Sequence, residues 1–215
     1  MAAVDRPNIV LTGFMGTGKS AVGQRLATLT GREYVDTDAE IIAKHGAIEH
    51  IFTRDGEEHF RALEREVVSD LAPRRNIVIA TGGGTLLDEE NVLAFLGAEI
   101  FTLKADPDEI VRRVMADGIE GRPLLSNSDD PSETIRALLA ERSEAYERFS
   151  SVDTTGKSID EVIDALRDAG ASIISEEANG AKGSATRSST NLAVTLGVAA
   201  ILAILIVLIV LVLTF

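Results

Sequence analysis

The chain has 215 residues, 45% of them hydrophobic and 4% aromatic, and a formal net charge of -13. That length allows one domain of ordinary size plus an extra segment, with a core packed mainly from aliphatic side chains. The acidic balance argues against a nucleic-acid partner, which needs a basic face, and the lack of cysteine excludes disulfides, thiol catalysis and cysteine metal sites.

The apolar run over 8–12 predicts a short buried strand. It leads into Gly13, Phe14, Met15, Gly16, Thr17, Gly18, Lys19 and Ser20, which read GxxxxGK(S/T), and helical spacing follows over 21–27. Strand, glycine loop and helix are the context of a phosphate-cradling loop. Glycines let backbone N–H groups turn in on a polyphosphate, and the helix presents its positive end to the same group. Lys19 adds a point charge near the β and γ phosphates, and Ser20 is placed to ligate Mg2+.

Gly31 is a plausible C-cap, and residues 34–36 read as a second strand ending at Asp36, Thr37 and Asp38. Asp38 stands where a helix over 39–43 begins and is a candidate N-cap. His45 and Gly46 break that helix, 47–52 form another short one, and Asp55 and Gly56 make a turn. Over 57–71 the spacing of Phe60, Leu63, Val67, Val68 and Leu71 is helical, with Arg61 and Glu64 on one side and Arg65 near them. The run 77–80 suits a fully buried parallel strand and enters Gly82, Gly83 and Gly84.

A helix over 88–96 and a fourth strand over 100–103 come next. Asp106 and Pro107 start a helix with proline at its first position, and this helix carries Arg112 and Arg113. The polar, glycine-bearing stretch from Asp117 to Asp130 is long for a connection and suits a mobile lid, about 115–130. A long helix over 131–149 holds Arg142 and Tyr146, a short fifth strand covers 151–153, and an amphipathic helix over 158–166 closes the domain. Alternating strands and helices predict an α/β domain with a mainly parallel sheet and ligands at its carboxyl edge.

The fold is therefore assigned to 1–174. From 175 to 191 the composition turns to Glu, Asn, Gly, Lys, Ser and Thr, a flexible polar linker. Residues 192–215 carry no charge and at helical rise span about 36 Å, enough to cross a bilayer core. A single transmembrane helix is expected there, and Lys182 and Arg187 before it favour a cytoplasmic catalytic domain, anchored to the membrane.

Asp36 and Asp38, flanking one residue at a strand end, can divide between a metal and a substrate. Arg61, Arg122 and Arg142 come from three separate segments. Around a phosphate loop they can bind a carboxylate and a transferring phosphoryl group.

Taken together, these pieces resemble the shikimate kinase family. They are the loop from Gly13 to Ser20; Asp36, Thr37 and Asp38; Ile51 and Phe52 followed by Asp55, Gly56, Glu57, Phe60, Arg61 and Glu64; the Gly82, Gly83, Gly84 triplet; Arg122, Pro123, Leu124 and Leu125; and Glu141, Arg142 and Tyr146. The resemblance covers about residues 8–166. It implies a three-layer P-loop kinase fold with five parallel strands in order 2-3-1-4-5. It also implies ATP-dependent phosphorylation of shikimate to shikimate 3-phosphate, with ATP and Mg2+.

Carried over by motif position, ATP is expected on Gly13, Met15, Gly16, Thr17, Gly18, Lys19, Ser20, Ala21, Arg113 and Arg122. Shikimate is expected on Asp38, Phe52, Phe60, Arg61, Gly82, Gly83, Gly84 and Arg142. Lys19, Asp38 and Arg122 are the expected catalytic residues, with Arg122 carried on the lid. Ser20 is the expected Mg2+ ligand, Asp36 acts through a bound water, and Arg113 stacks on adenine. The catalytic domain is expected to be monomeric. Ala21 replaces a threonine common in the family, and Glu144 and Ser150 replace a proline and an alanine. The rival readings are another small-molecule P-loop kinase, and a membrane-tethered nucleotide-binding module without turnover.

Overall fold

β1 (Ile9–Thr12) is buried along its whole length, because helices cover both faces of the sheet that it centres. The computed structural model describes residues 6–119, 121–126 and 128–173. In chain order β1 is followed by α1 (Lys19–Thr30), β2 (Glu33–Asp36), α2 (Thr37–His45), α3 (Ile48–Leu71) and β3 (Ile77–Ala80). A 3-10 turn (Thr85–Leu87), α4 (Glu89–Ala94), β4 (Glu99–Lys104) and α5 (Pro107–Asp117) come next. The last elements are α6 (Pro123–Ser126), α7 (Pro131–Glu147), β5 (Ser150–Asp153) and α8 (Ile159–Asp168).

The five strands are all parallel and lie in the order β2-β3-β1-β4-β5. Alternation along each strand sends side chains to two separate cores. Ile9 and Leu11 pack with Val22, Leu26, Ile163 and Leu166, from α1 and α8. Val10 points the other way, onto Ile51, Leu63 and Val67 of α3. A third cluster joins Phe14, Ile110, Val114, Leu125, Ile135 and Tyr146 beyond the carboxyl end of the sheet. It packs α5, α6 and α7 around the phosphate loop.

Several boundaries differ from the expectations. α1 begins at Lys19 rather than two residues later, so the loop's lysine and serine already belong to the helix. α3 absorbs both predicted helices across a break at Gly56, where φ is 85°. The predicted N-cap at Asp38 is corrected. Asp36, extended at φ -113°, caps α2 by accepting from the N–H groups of Asp38 and Ala39. The last strand residue can aim its side chain along the new helix, whereas Asp38 is already in the first turn. α5 runs through Asp117, so the first residues of the expected lid are helical, and α6 interrupts the rest. The expected linker and membrane helix lie outside the described residues. Among those described, no helix is long and apolar enough to cross a membrane.

Candidate active site

Every strand of this parallel sheet delivers its following residue to one edge. There the loop after β1 is tied across by one of its own side chains: Thr17 Oγ1 donates to the Phe14 carbonyl at 2.8 Å. Gly13 has φ 129°, and a Cβ on it would lie 2.2 Å from the Leu103 carbonyl oxygen. Gly18 caps α1 in the left-handed region at φ 89° with no side-chain hydrogen bond, and the first turn of α1 holds no acidic residue. The leading N–H groups of a twelve-residue helix are therefore left to a ligand.

Lys19 Nζ donates to the carbonyls of Gly13 and Phe14, each at 2.9 Å. Burial lowers its ammonium to about 8, against the opposing pull of Asp38 and Asp36. A polyphosphate at this point would push it back up.

Asp36 closes the next corner. Its Oδ2 accepts from Ser20 Oγ at 2.9 Å and from Tyr34 Oη at 3.1 Å. The Ser20 proton is thereby directed to a carboxylate, leaving the hydroxyl lone pairs for another partner. A hydroxyl and a carboxylate are the hard oxygen donors that Mg2+ takes, so the pair fits that ion.

Asp38 projects into the cavity with Oδ1 buried and without a hydrogen-bond partner among the described residues. A buried acceptor in that condition needs a donor. Burial first, then the charges of Asp36 and Glu64, push its carboxyl up to about 6, while Lys19 and Arg61 pull the other way.

Arg61 of α3 is the fixed cation of the opposite wall. Its Nη1 donates to Glu64 Oε2 at 2.6 Å, and its Nη2 to Glu57 Oε1 at 2.7 Å. Glu64 is 1% exposed and also accepts from Thr85 Oγ1 at 2.6 Å. Sequence reading placed Glu64 beside Arg61 but missed its burial, which depends on the 3-10 turn after β3.

The glycine triplet supplies room and one carbonyl. A Cβ on Gly84 would lie 2.5 Å from Arg61 Nη1, and one on Gly82 would lie 2.5 Å from Asp38 Oδ1. Gly83 offers its carbonyl to Tyr146 Oη at 2.6 Å, which ties α7 to the triplet. The Phe52 and Phe60 ring centroids lie 4.9 Å apart with the planes tilted by 44°, and the Arg61 guanidinium lies 5.5 Å from the Phe60 ring.

Arg142 is 7% exposed, its Nε has no partner among the described residues, and its guanidinium lies 6.0 Å from the Phe14 ring. Arg122 donates to the Val114 carbonyl at 3.3 Å and lies 3.6 Å from Asp117 Oδ2. Arg113 bridges three segments, donating to Glu109, to the Gly16 carbonyl at 3.2 Å and to Thr154. Arg65, expected near Arg61 and Glu64, pairs with Asp88 at 2.9 Å and is not part of the cavity lining.

One cavity of about 730 Å³ is lined by all the expected site residues except Gly13, whose part is the turn itself. It also takes in Thr154, Lys157 and Ile159 beyond β5, which sequence reading did not single out. No local signal marks them, because only the position of β5 at the sheet edge brings them in. An anion-cradling loop that faces a pocket of arginines and a buried aspartate defines a P-loop phosphotransferase acting on a small anionic substrate.

The comparisons with known proteins narrow that class. A family model described as Shikimate kinase matches residues 15–169. The shikimate kinase of Pelotomaculum thermopropionicum is 47% identical over 161 residues, covering 74% of this chain and 92% of that protein. The solved shikimate kinase from Acinetobacter baumannii, in complex with shikimate, superposes with a TM-score of 0.70 at 35% identity. The match covers 75% of this chain and 92% of that one. The Aquifex aeolicus shikimate kinase gives a TM-score of 0.64 at 30% identity, over 82% of this chain and 99% of that one. The chain belongs to the shikimate kinase family.

Proposed function

We propose that this chain transfers the γ-phosphoryl group of ATP to the 3-hydroxyl of shikimate, giving shikimate 3-phosphate and ADP. One observation carries the reading: the Lys19 loop and the Arg61–Arg142 wall open on the same cavity, with Asp38 inside the fields of both Lys19 and Arg61. That arrangement suits a polyphosphate on one side and a carboxylated polyol on the other.

Arg61 and Arg142 take the carboxylate, and Phe52, Phe60 and the Gly82–Gly84 backbone enclose the ring. Asp38 accepts hydrogen bonds from the ring hydroxyls and takes the proton of the attacking one. The hydroxyl oxygen then forms its bond to the γ-phosphorus as the bond to the β–γ bridging oxygen breaks, and ADP departs. Lys19 and Arg122 neutralise the migrating charge, and Arg113 lies against adenine. Gly13, Met15, Gly16, Thr17, Gly18 and Ala21 shape the phosphate bed. Ser20, and Asp36 through a water, would hold Mg2+, which supplies charge neutralisation at the β and γ phosphates when bound. The stretch 115–130 acts as the lid that brings Arg122 in and excludes water.

An ADP-release assay tests this: turnover with ATP and shikimate is expected, and turnover with gluconate instead would overturn it. Asp38→Asn is expected to abolish most turnover while nucleotide binding persists. We also infer that 192–215 anchors the domain to a membrane; its support is the uncharged 24-residue run. Fractionation of the full chain beside one ending at residue 174 checks it, and equal recovery in the soluble fraction would refute it.

A further inference from the structure

The carboxylate of Asp36 carries more hydrogen bonds than capping a helix requires. Its Oδ1 accepts from the N–H groups of Asp38 at 3.1 Å and Ala39 at 3.3 Å. Its Oδ2 accepts from Ser20 and, in addition, from Tyr34 Oη at 3.1 Å. Tyr34 and Asp36 are alternate residues of β2, so both side chains leave the same face of the strand. That face lies against α1, and the space for the ring is made there. A Cβ on Gly23 would lie 2.7 Å from Tyr34 Cε2 and 3.3 Å from Cδ2. The ring is packed against the core shared by α1 and α8. A phenol so confined has little freedom, and its hydroxyl is held at the carboxylate.

We propose that Tyr34 is a positioning residue for the metal side of the site. Through its hydroxyl it fixes the Asp36 carboxylate in the orientation that keeps the Ser20 proton and leaves the Ser20 lone pairs facing the phosphates. The inference rests on the reading of Ser20 and Asp36 as the Mg2+ pair. A phenylalanine would fill the same space without touching Asp36, so the hydroxyl is the informative group. Outer groups of this kind set how well a ligating oxygen is aimed, and their loss shows first in metal affinity.

The test uses the full chain with Mn2+ as the probe, followed by electron paramagnetic resonance in the presence of a β,γ-imido ATP analogue. Tyr34→Phe is expected to weaken Mn2+ binding about tenfold and to leave shikimate affinity, measured by calorimetry, unchanged. Gly23→Ala, which evicts the ring with its hydroxyl intact, is expected to weaken Mn2+ in the same direction. Adding Tyr34→Phe to Asp36→Asn is expected to have no further effect, because the tyrosine acts only through that carboxylate. Unchanged Mn2+ affinity in Tyr34→Phe, where Asp36→Asn does weaken it, overturns the role of Tyr34 alone. If Asp36→Asn leaves Mn2+ affinity intact, the metal reading of Asp36 falls and this inference with it. Additive losses in the double variant also overturn it.

Discussion

Arg61 faces two carboxylates in the resting protein, and the structure distinguishes their parts. The Glu64 partner is 1% exposed, bonded at 2.6 Å and also tied to Thr85, so it is a permanent support. The Glu57 partner is 53% exposed at its side chain and bonded at 2.7 Å, so it can yield to an incoming carboxylate. Glu64→Gln keeps the shape but turns an ion-paired hydrogen bond, at the upper end of the range of about 1.5–3 kcal/mol for bonds to charged groups, into a cation–amide bond at its lower end. The difference is about 1–1.5 kcal/mol, or roughly five- to tenfold in affinity. The KM for shikimate is expected to rise by that factor in an ADP-release assay at saturating ATP, with the KM for ATP moving less than twofold. Glu57→Gln removes only an exposed pair, about 0–1 kcal/mol, that a substrate carboxylate bound as proposed would displace. Its KM for shikimate should stay level or fall, by about fivefold at most. A rise in KM for Glu57→Gln equal to that for Glu64→Gln would refute the reasoning, since both carboxylates would then be supports.

Four further outcomes follow, three from the site and one from the core. The Asp38 carboxyl, raised to about 6, must be ionised to act as the proposed proton acceptor, so kcat/KM for shikimate should fall tenfold per pH unit below about 6. Its folded value lies above its unfolded one, so it costs stability as pH rises from about 4 to 6 and above. Asp38→Asn should therefore raise Tm by a few degrees at pH 7.5 and much less at pH 4, and an equal gain at both would contradict this. Lys19, held at about 8, should take up a proton when a nucleotide binds at pH 8.5 and none at pH 6.5, read as a buffer-dependent calorimetric enthalpy. Leu166 is fully buried between α8 and the sheet, so Leu166→Ala should cost about 2–5 kcal/mol in urea unfolding, with both KM values unchanged.

The chemistry of the phosphate loop was legible because its parts are contiguous. The strand, the glycine turn and the lysine that opens the next helix all lie within residues 9–19, and glycine's backbone freedom marks the turn in the sequence itself. The strands were legible for a related reason. Runs such as 77–80 are apolar at every position, as burial on both faces requires. Their order was not in the pattern. It came with the family resemblance, and the paired registers, such as Val10 with Ile79 and Val10 with Ile100, are what bear it out.

Asp36 and Asp38 show where reading from sequence runs short. Both are acidic residues at a strand end, and nothing local says which one caps α2. The backbone angle of Asp36 settles it, and that angle is set by the pairing of β2 on β3. The tie from Tyr34 to Asp36 depends on the bare surface of α1 at Gly23, and the burial of Glu64 on a turn 21 residues away. Residue types, element sequence and the presence of a phosphate loop reside in the chain's local pattern, because periodicity and backbone sterics act over a few residues. Which carboxylate holds which cation, and which groups lose their water, came from the packing of distant segments, because desolvation and hydrogen-bond geometry exist only once those segments touch.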